Sequence, residues 1–465
     1  MTRARPCATA AGMQEIPRGG ASPPDPARAD DRPDRLPWLL GFFYVLVPVL
    51  PTISVLAGPL KSNGSPARLV AFVFFALAVM TFTLLRRSSP RAINVGAVLI
   101  SIYFFAQVLV YGVGLLARGD TIVEASKTRA VLGLVASVGV VLYTVVSVRT
   151  TRQRAVAIGL LATALTFACT VGLLQSYTGV DLRFLFQPPG FVLNNDAALL
   201  SERQGSFRVV GTSQHAIEFS VLAAATVPLT LHLARFATHK WCRGLAVIAC
   251  VIAVMAIPAS VSRSGVISLA AALLLYMFSL NLRQLGNGIL IGFGAVLAYV
   301  IAFPVSANAL WSTIIHSEQD DSVLTRLDDY AAVSQTFHDH PWFGLGLGAT
   351  PPTEYRFLDN EWLQSIAQGG MVGLGAMMLL AASGIIGIAA GLRGAASPRD
   401  RGQVYSVGSA FVAVLVSTFT FDLFSFQQAS LLFFALYGLV WSTCRHPRVA
   451  PSHPTATVVP VSAGV

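Results

Sequence analysis

An arginine at the edge of an apolar segment is costly to keep, because its charge must find a partner or a ligand. This chain sets several there. In SERQGSFRVVGTSQHAIEFS, Arg203, Arg208, His215 and Glu218 gather just before a long apolar run. In SVSRSG, Arg263 sits in a hydroxyl-rich turn between two apolar runs, with no acid close by in sequence. A guanidinium keeps its charge at any working pH and offers a planar fork of donors, which suits it to a phosphate or diphosphate. Pairing within the fold, Arg208 with Glu218 or Arg326 with Asp329, would instead give these residues a purely structural task.

The acids collect in a second place, the polar segment from Asn308 to Glu361, whose latter half reads HDHPWFGLGLGATPPTEYRFLDNE. A tether would be richer in Gly and Ser, whereas this segment carries Trp311, Tyr330, Phe337, Trp342, Phe343, Tyr355 and Phe357 and is expected to fold against the apolar domain. Residues 322–338 place Val323, Leu324, Leu327, Tyr330, Ala331 and Phe337 at helical spacing, which predicts a short amphipathic helix bearing Arg326 and lying on the membrane-facing surface. Asp359, Asn360 and Glu361 stand where the segment runs into the next apolar stretch. A carboxylate there can accept a proton or can cap the following helix. FGLGLGA lacks the GxGxxG spacing of a dinucleotide loop and is read as a turn. His316, His338 and His340 lack metal-ligand spacing and are read as surface residues, so neither a metal nor a cofactor is expected.

What must position these groups follows from composition. With 465 residues, 54% apolar, 12% charged and a mean hydropathy of +0.65, the chain is too hydrophobic for a soluble domain. Runs long enough to cross the hydrocarbon core predict an all-α polytopic membrane protein of about twelve transmembrane helices. The segments are 37–57, 69–85, 92–117, 130–147, 155–175, 216–234, 244–259, 264–280, 287–306, 362–391, 404–421 and 425–443. The domain thus covers 37–443, flanked by a disordered cytoplasmic tail at 1–36 and a cytoplasmic tail at 444–465, disordered from Pro447 onwards. The two long loops are 176–215 and 308–361, the second between spans nine and ten. Five cysteines show no pairing pattern.

Lys and Arg concentrate in cytoplasmic loops. With both termini cytoplasmic, the inner segments hold 21 of the 32 Lys and Arg but only 6 of the 22 acids. The net charge of +10 is therefore membrane topology, not a nucleic-acid surface. Both long loops then face outside.

RVVGTSQHAIEFS, SVSRSG, HPWFGLGLG and DNEWLQSIAQGGMVGL, in this order over residues 200 to 380, resemble the O-antigen ligase and Wzy-type polymerase family of bacterial membrane glycosyltransferases. The resemblance implies a GT-C-like transferase in the cell's inner membrane. Such an enzyme moves a glycan from a polyprenyl-diphosphate carrier to a glycan or glycolipid hydroxyl, with the bilayer as its other partner. It implies that Arg208 and Arg263 meet the diphosphate, with Arg203, His215, Glu218, Arg326, Asn360 and Glu361 lining the substrates. The family commonly carries HNxxL after the loop; here Asp359-Asn360-Glu361-Trp362-Leu363 puts an Asp in place of the His, so Asp359 becomes the implied base. A transporter or flippase of lipid-linked glycans has the same general form, but internal repeats and mid-membrane charges would mark it. The charges here stand at segment ends.

The charge distribution makes a direct prediction. A reporter fused near Thr353 reads as external and one at either terminus as cytoplasmic; a cytoplasmic signal from Thr353 overturns the topology.

Overall fold

The computed structural model of the protein describes residues 35–58, 63–84, 94–117, 119–194, 202–203, 206–315 and 321–444. The two expected tails fall almost wholly outside these residues, as do His316 and Cys7. Fourteen helices appear among the described residues: α1 (Trp38–Val49), α2 (Pro66–Leu84), α3 (Val95–Gly114), α4 (Thr121–Ser147), α5 (Thr151–Thr178), α6 (Ala216–Phe236), α7 (Lys240–Ala259), α8 (Arg263–Tyr276), α9 (Leu282–Ala302), α10 (Pro304–Ile315), α11 (Asp321–Asp339), α12 (Glu361–Gly394), α13 (Pro398–Ser417) and α14 (Gln427–Ser442). A helix stands at each of the twelve apolar segments. Seven of them, α3 to α7, α9 and α12, are long and apolar enough to cross a membrane, and α1, α2 and α8 are shorter apolar helices.

Several boundaries move for local reasons. α1 stops at Val49 instead of running to 57, because Pro51 cannot extend the helical hydrogen bonding. The chain then forms β1 (Ser54–Leu56), antiparallel to β2 (Phe191–Leu193) with Ser54 opposite Leu193. A second pair, β3 (Glu202–Arg203) and β4 (Ser206–Phe207), forms a hairpin. α4 begins at Thr121, well before its apolar run. Its buried Lys127 is absorbed by the open end of α3, Nζ donating to the carbonyls of Gly114 and Ala117 and to Glu124, each at 2.8 Å. Those carbonyls lack helical partners, so the ammonium satisfies them.

The polar segment starts with a helix not foreseen, α10, opened by Pro304 at its first position. α11 matches the expected amphipathic helix within a residue at each end, but its buried contacts are with protein. Val333 joins Leu358, Leu363 and Ala367 in a small core, whereas Tyr330, expected on the apolar face, is exposed.

Residues 341–348 are bonded into a break in α12. Gly370 has φ 55° and ψ −140°, so the helix is interrupted and its backbone groups look outward. The carbonyls of Ala367 and Gln368 accept from Leu345 (3.0 Å) and Gly346 (2.8 Å), and the N–H groups of Met371 and Val372 donate to Pro341 (2.9 Å) and Trp342 (3.1 Å). Gly346, at φ 103°, presses on Gly114 of α3, where an added Cβ would come within 2.4 Å of backbone. The glycine run is therefore a turn, as expected, but one welded to a kink. Gly370 is the hinge of that kink.

The helix ends sort into two sets. The ends of α1, α3, α5, α7 and α13 and the starts of α6, α8, α12 and α14 meet through hydrogen bonds and close contacts on one side of the bundle. Arg154 at the start of α5 meets Ser442 and Gln403 at the other side, where Arg235 also meets Ser279. Every candidate residue with a described side chain lies at the first side.

A Cβ at Gly370 would lie 2.5 Å from the Pro341 carbonyl oxygen. Gly370→Ala is expected to cost at least about 2 kcal/mol, read as a lowered thermal midpoint. Gly375→Ala, with open space around it, should leave the midpoint unchanged or higher.

Candidate functional site

The arginine side of the mouth is built on residues 208–215, which run from β4 into α6. A buried polar loop is tolerable only if its backbone and side-chain polar groups are satisfied, and four elements do this. From α5, Gln175 accepts from the N–H groups of Val210 (3.2 Å) and Gly211 (2.7 Å) and donates to the Gly211 carbonyl (2.9 Å). Buried Arg183, gripped by Asp181 at 2.6 Å, donates to the carbonyls of Ser213 and Gln214 at 3.1 and 3.3 Å. Thr212 donates to the Pro48 carbonyl of α1 (2.6 Å), and Ser213 to Gln428 of α14 (2.6 Å). Gly211 is at φ 57°, and a Cβ would fall 2.5 Å from the Phe219 ring, so the turn needs glycine. Arg183 was not among the residues singled out in the sequence; an Asp-x-Arg just past an apolar run was its signal.

Arg208 and Arg263 meet at one turn. Nε of Arg208 donates to the Ser260 carbonyl at 3.3 Å, and the Val209 N–H reaches the Ala259 carbonyl at 3.4 Å. Between Ser260 and Arg263 the chain reverses through Val261, fully buried and at φ 49°. That conformation is strained for a β-branched residue and persists only where its surroundings enforce it. Gly265 makes the enforcement possible: a Cβ there would lie 2.5 Å from Cβ of Ser220, so α8 rests directly on α6. Arg263 thus opens α8, half-buried, at the positive end of the helix dipole. Ser262 at the N-cap makes no side-chain cap bond. A cation and a helix N-terminus side by side favour an anion.

Glu218 departs from the alternative read in the sequence, in which it pairs with Arg208. Fully buried, it accepts from the backbone N–H groups of Gln214 and Ala429, both at 2.9 Å, and so ties residues 208–215 to the start of α14. His215 caps α6, Nδ1 accepting from Ile217 at 3.2 Å. Burial, then the charge of Arg208, pulls its imidazole down to about 4. It is therefore neutral at physiological pH, a single donor through Nε2 rather than an acid.

On the carboxylate side, Asn360 is the cap of α12, accepting from Trp362 (2.9 Å) and Leu363 (3.4 Å). The capping task considered for Asp359 belongs to its neighbour, and Asn360, expected to line substrate, spends its side-chain oxygen on it. Asp359 is half-buried. Glu361 is a bracket: its N–H donates to the Thr418 carbonyl (2.9 Å) and its carboxylate accepts from Phe424 (2.9 Å). Beside it is an acid that sequence reasoning missed. Asp422, in TFDLFSF between two apolar runs, is 8% exposed, and its Oδ1 has no hydrogen-bond partner among the described residues. Burial pushes its carboxyl up to about 7, against the pull of the Ser425 hydroxyl and its own backbone, with a further push from Asp359. The signal was a lone acid in an otherwise apolar stretch.

The chain between α13 and α14, with the first turn of α14, joins both sides. Phe424 holds Glu361, Phe426 lies 5.8 Å from the His215 ring, and Ala429 holds Glu218. The side-chain expectations for Arg203 and Arg326 fall outside the described residues, which place only their backbones in β3 and α11. His338 and His340 are exposed, as expected.

The raised carboxyl of Asp422 carries a pH signature. Its neutral form favours the fold, a contribution complete below about pH 4 and lost as the pH rises through about 7. The thermal midpoint of the native protein should fall over that window relative to Asp422→Asn, which has no proton to lose. Parallel curves would contradict it.

Comparison with known proteins bears on the same region. A search among curated proteins gave no match. The family model Wzy_C, described as O-antigen ligase, matches residues 248–378, from within α7 through Arg263 and Asp359 into α12. Together with the apolar helices this marks a membrane glycosyl-transferring protein of ligase or polymerase type. Over that segment the chain is similar to the O-antigen ligase family.

Proposed function

We propose that the protein transfers a glycan from a polyprenyl-diphosphate carrier to a hydroxyl acceptor at the outer face of the cell's inner membrane, as an O-antigen ligase or polysaccharide polymerase with a GT-C-like fold. The observation that carries this reading is the meeting of Arg208 and Arg263 at one strained turn, beside the N-terminus of α8. Two guanidinium groups and a helix dipole in a fixed arrangement suit the charge that grows on a departing diphosphate. His215, neutral, adds one donor. Glu218 acts through the loop that it fastens. Asp359 stands at the acceptor side, where the family motif has a His, with Glu361 and Asp422 behind it.

In the step itself, the acceptor oxygen forms a bond to the anomeric carbon of the glycan while the bond from that carbon to the diphosphate oxygen breaks. The electron pair leaves with the diphosphate, and the hydroxyl proton passes to the carboxylate group at Asp359. A carboxylate within reach of the acceptor hydroxyl can take its proton as the new bond forms.

Removing the protein from its cell should cause the lipid-linked glycan to accumulate, full-length for a ligase and as single repeats for a polymerase. Arg263→Lys should lower transfer about 100-fold, nearly as far as Arg263→Ala, because Lys keeps the charge but loses the paired hydrogen bonds. Normal transfer by the Lys variant would overturn the assignment of Arg263.

A further inference from the structure

Helix α11 and the segment of chain leading to α12 form an open pocket of about 460 Å³, lined by Ala332, Gln335, Thr336, Asp339, Tyr355 and Arg356. We propose that this pocket is a sugar-binding subsite that holds the acceptor glycan while one of its hydroxyl groups reaches Asp359. The inference rests on the transferase reading above.

Its walls are rigid. Tyr355 shares a 2.7 Å hydrogen bond between its hydroxyl and that of Thr336, and its body packs on the core of Val333, Leu358, Leu363 and Ala367. The ring is thereby held against α11 without needing a ligand, which spares binding the cost of ordering it. Arg356 is equally fixed: Nε pairs with buried Asp329 at 3.0 Å and Nη1 donates to the Asp328 carbonyl at 2.9 Å. Gln335 and Asp339, one helical turn apart on α11, are exposed along the same wall. The lining therefore offers a pure donor, a pure acceptor and an amide that does both, around a fixed aromatic surface. Hydroxyl groups each donate and accept, and a pyranose has an apolar C–H face for the ring, so a sugar uses all of these at once. An anion would not: Arg356 is already neutralised by Asp329, and Asp339 adds negative charge. The volume lies within the roughly 300–1,000 Å³ of small-molecule pockets. Arg356 is three residues before Asp359, so the Cα atoms of the two lie within about 11 Å of each other.

The test uses the purified full-length protein in lipid nanodiscs, with lipid-linked glycan and acceptor lipid both extracted from cells lacking the protein, and with acceptor concentration varied. Tyr355→Ala and Gln335→Ala are each expected to raise the acceptor KM about five- to tenfold with kcat within twofold. Tyr355→Phe, which keeps the ring face, should leave KM near the native value. Unchanged acceptor KM in both Ala variants, at thermal midpoints matching the native protein, overturns the subsite. So does a fall in kcat without a change in KM. Arg263→Ala in the same assay reports separately on the transferase reading, through loss of transfer at every acceptor concentration.

Discussion

The exchange of backbone hydrogen bonds at Gly370 is the constraint on which the rest of the site depends. A helix in an apolar surrounding must satisfy every N–H and C=O, and interrupting one exposes groups that are costly to leave unpaired. α12 meets this cost with residues 341–348, which supply two acceptors and two donors to the break. Gln368 adds a side-chain bond to the Gly348 N–H at 2.8 Å and another to Thr350. The polar segment is thereby anchored at its midpoint as well as at its ends. That anchor sets where α11 can lie and the direction from which Tyr355 to Asp359 approach the bundle.

The arginine side is held by a different device with the same logic. Gln175, Arg183, Glu218 and Gln428 are all buried and polar, and each is spent on backbone groups of residues 208–215 or on the helix ends that meet them. None is free to act on a ligand, yet together they fix Arg208 and, through the Ser260 carbonyl, the turn of Arg263. Val261 at positive φ shows that this turn is imposed by its neighbours rather than preferred by its sequence. The chain between α13 and α14, with the first turn of α14, then links the arginines to the acids, since Glu218, His215 and Glu361 all touch it. A rigid two-sided mouth follows from bonds that are themselves remote from any chemistry.

How far the sequence reached can be seen residue by residue. Apolar length alone located twelve helical segments, because the cost of burying charge in hydrocarbon is paid locally, within each segment. α11 was legible from its periodicity within a residue, and SVSRSG was legible as a tight turn. Arg208, Arg263 and Asp359 drew notice as charges at segment ends, which is where the structure has them.

The division of labour among those residues was not legible, because it depends on partners far away in the chain. Glu218 is ten residues from Arg208 but bonds to Ala429, 211 positions on. Asn360, not Asp359, caps α12, a choice made by one residue of register that composition does not reveal. Asp422 carries no motif, and its buried position beside Asp359 arises only when the α13–α14 connection folds over the start of α12. Lys127 could be inside a helix only because the open end of α3 was there to receive it. The sequence by itself determined what each segment must avoid, namely charge in the hydrocarbon and polar backbone without a partner. Which groups relieve that cost for one another was decided by the tertiary structure, since hydrogen bonds are short-ranged and their partners are chosen by where whole helices end.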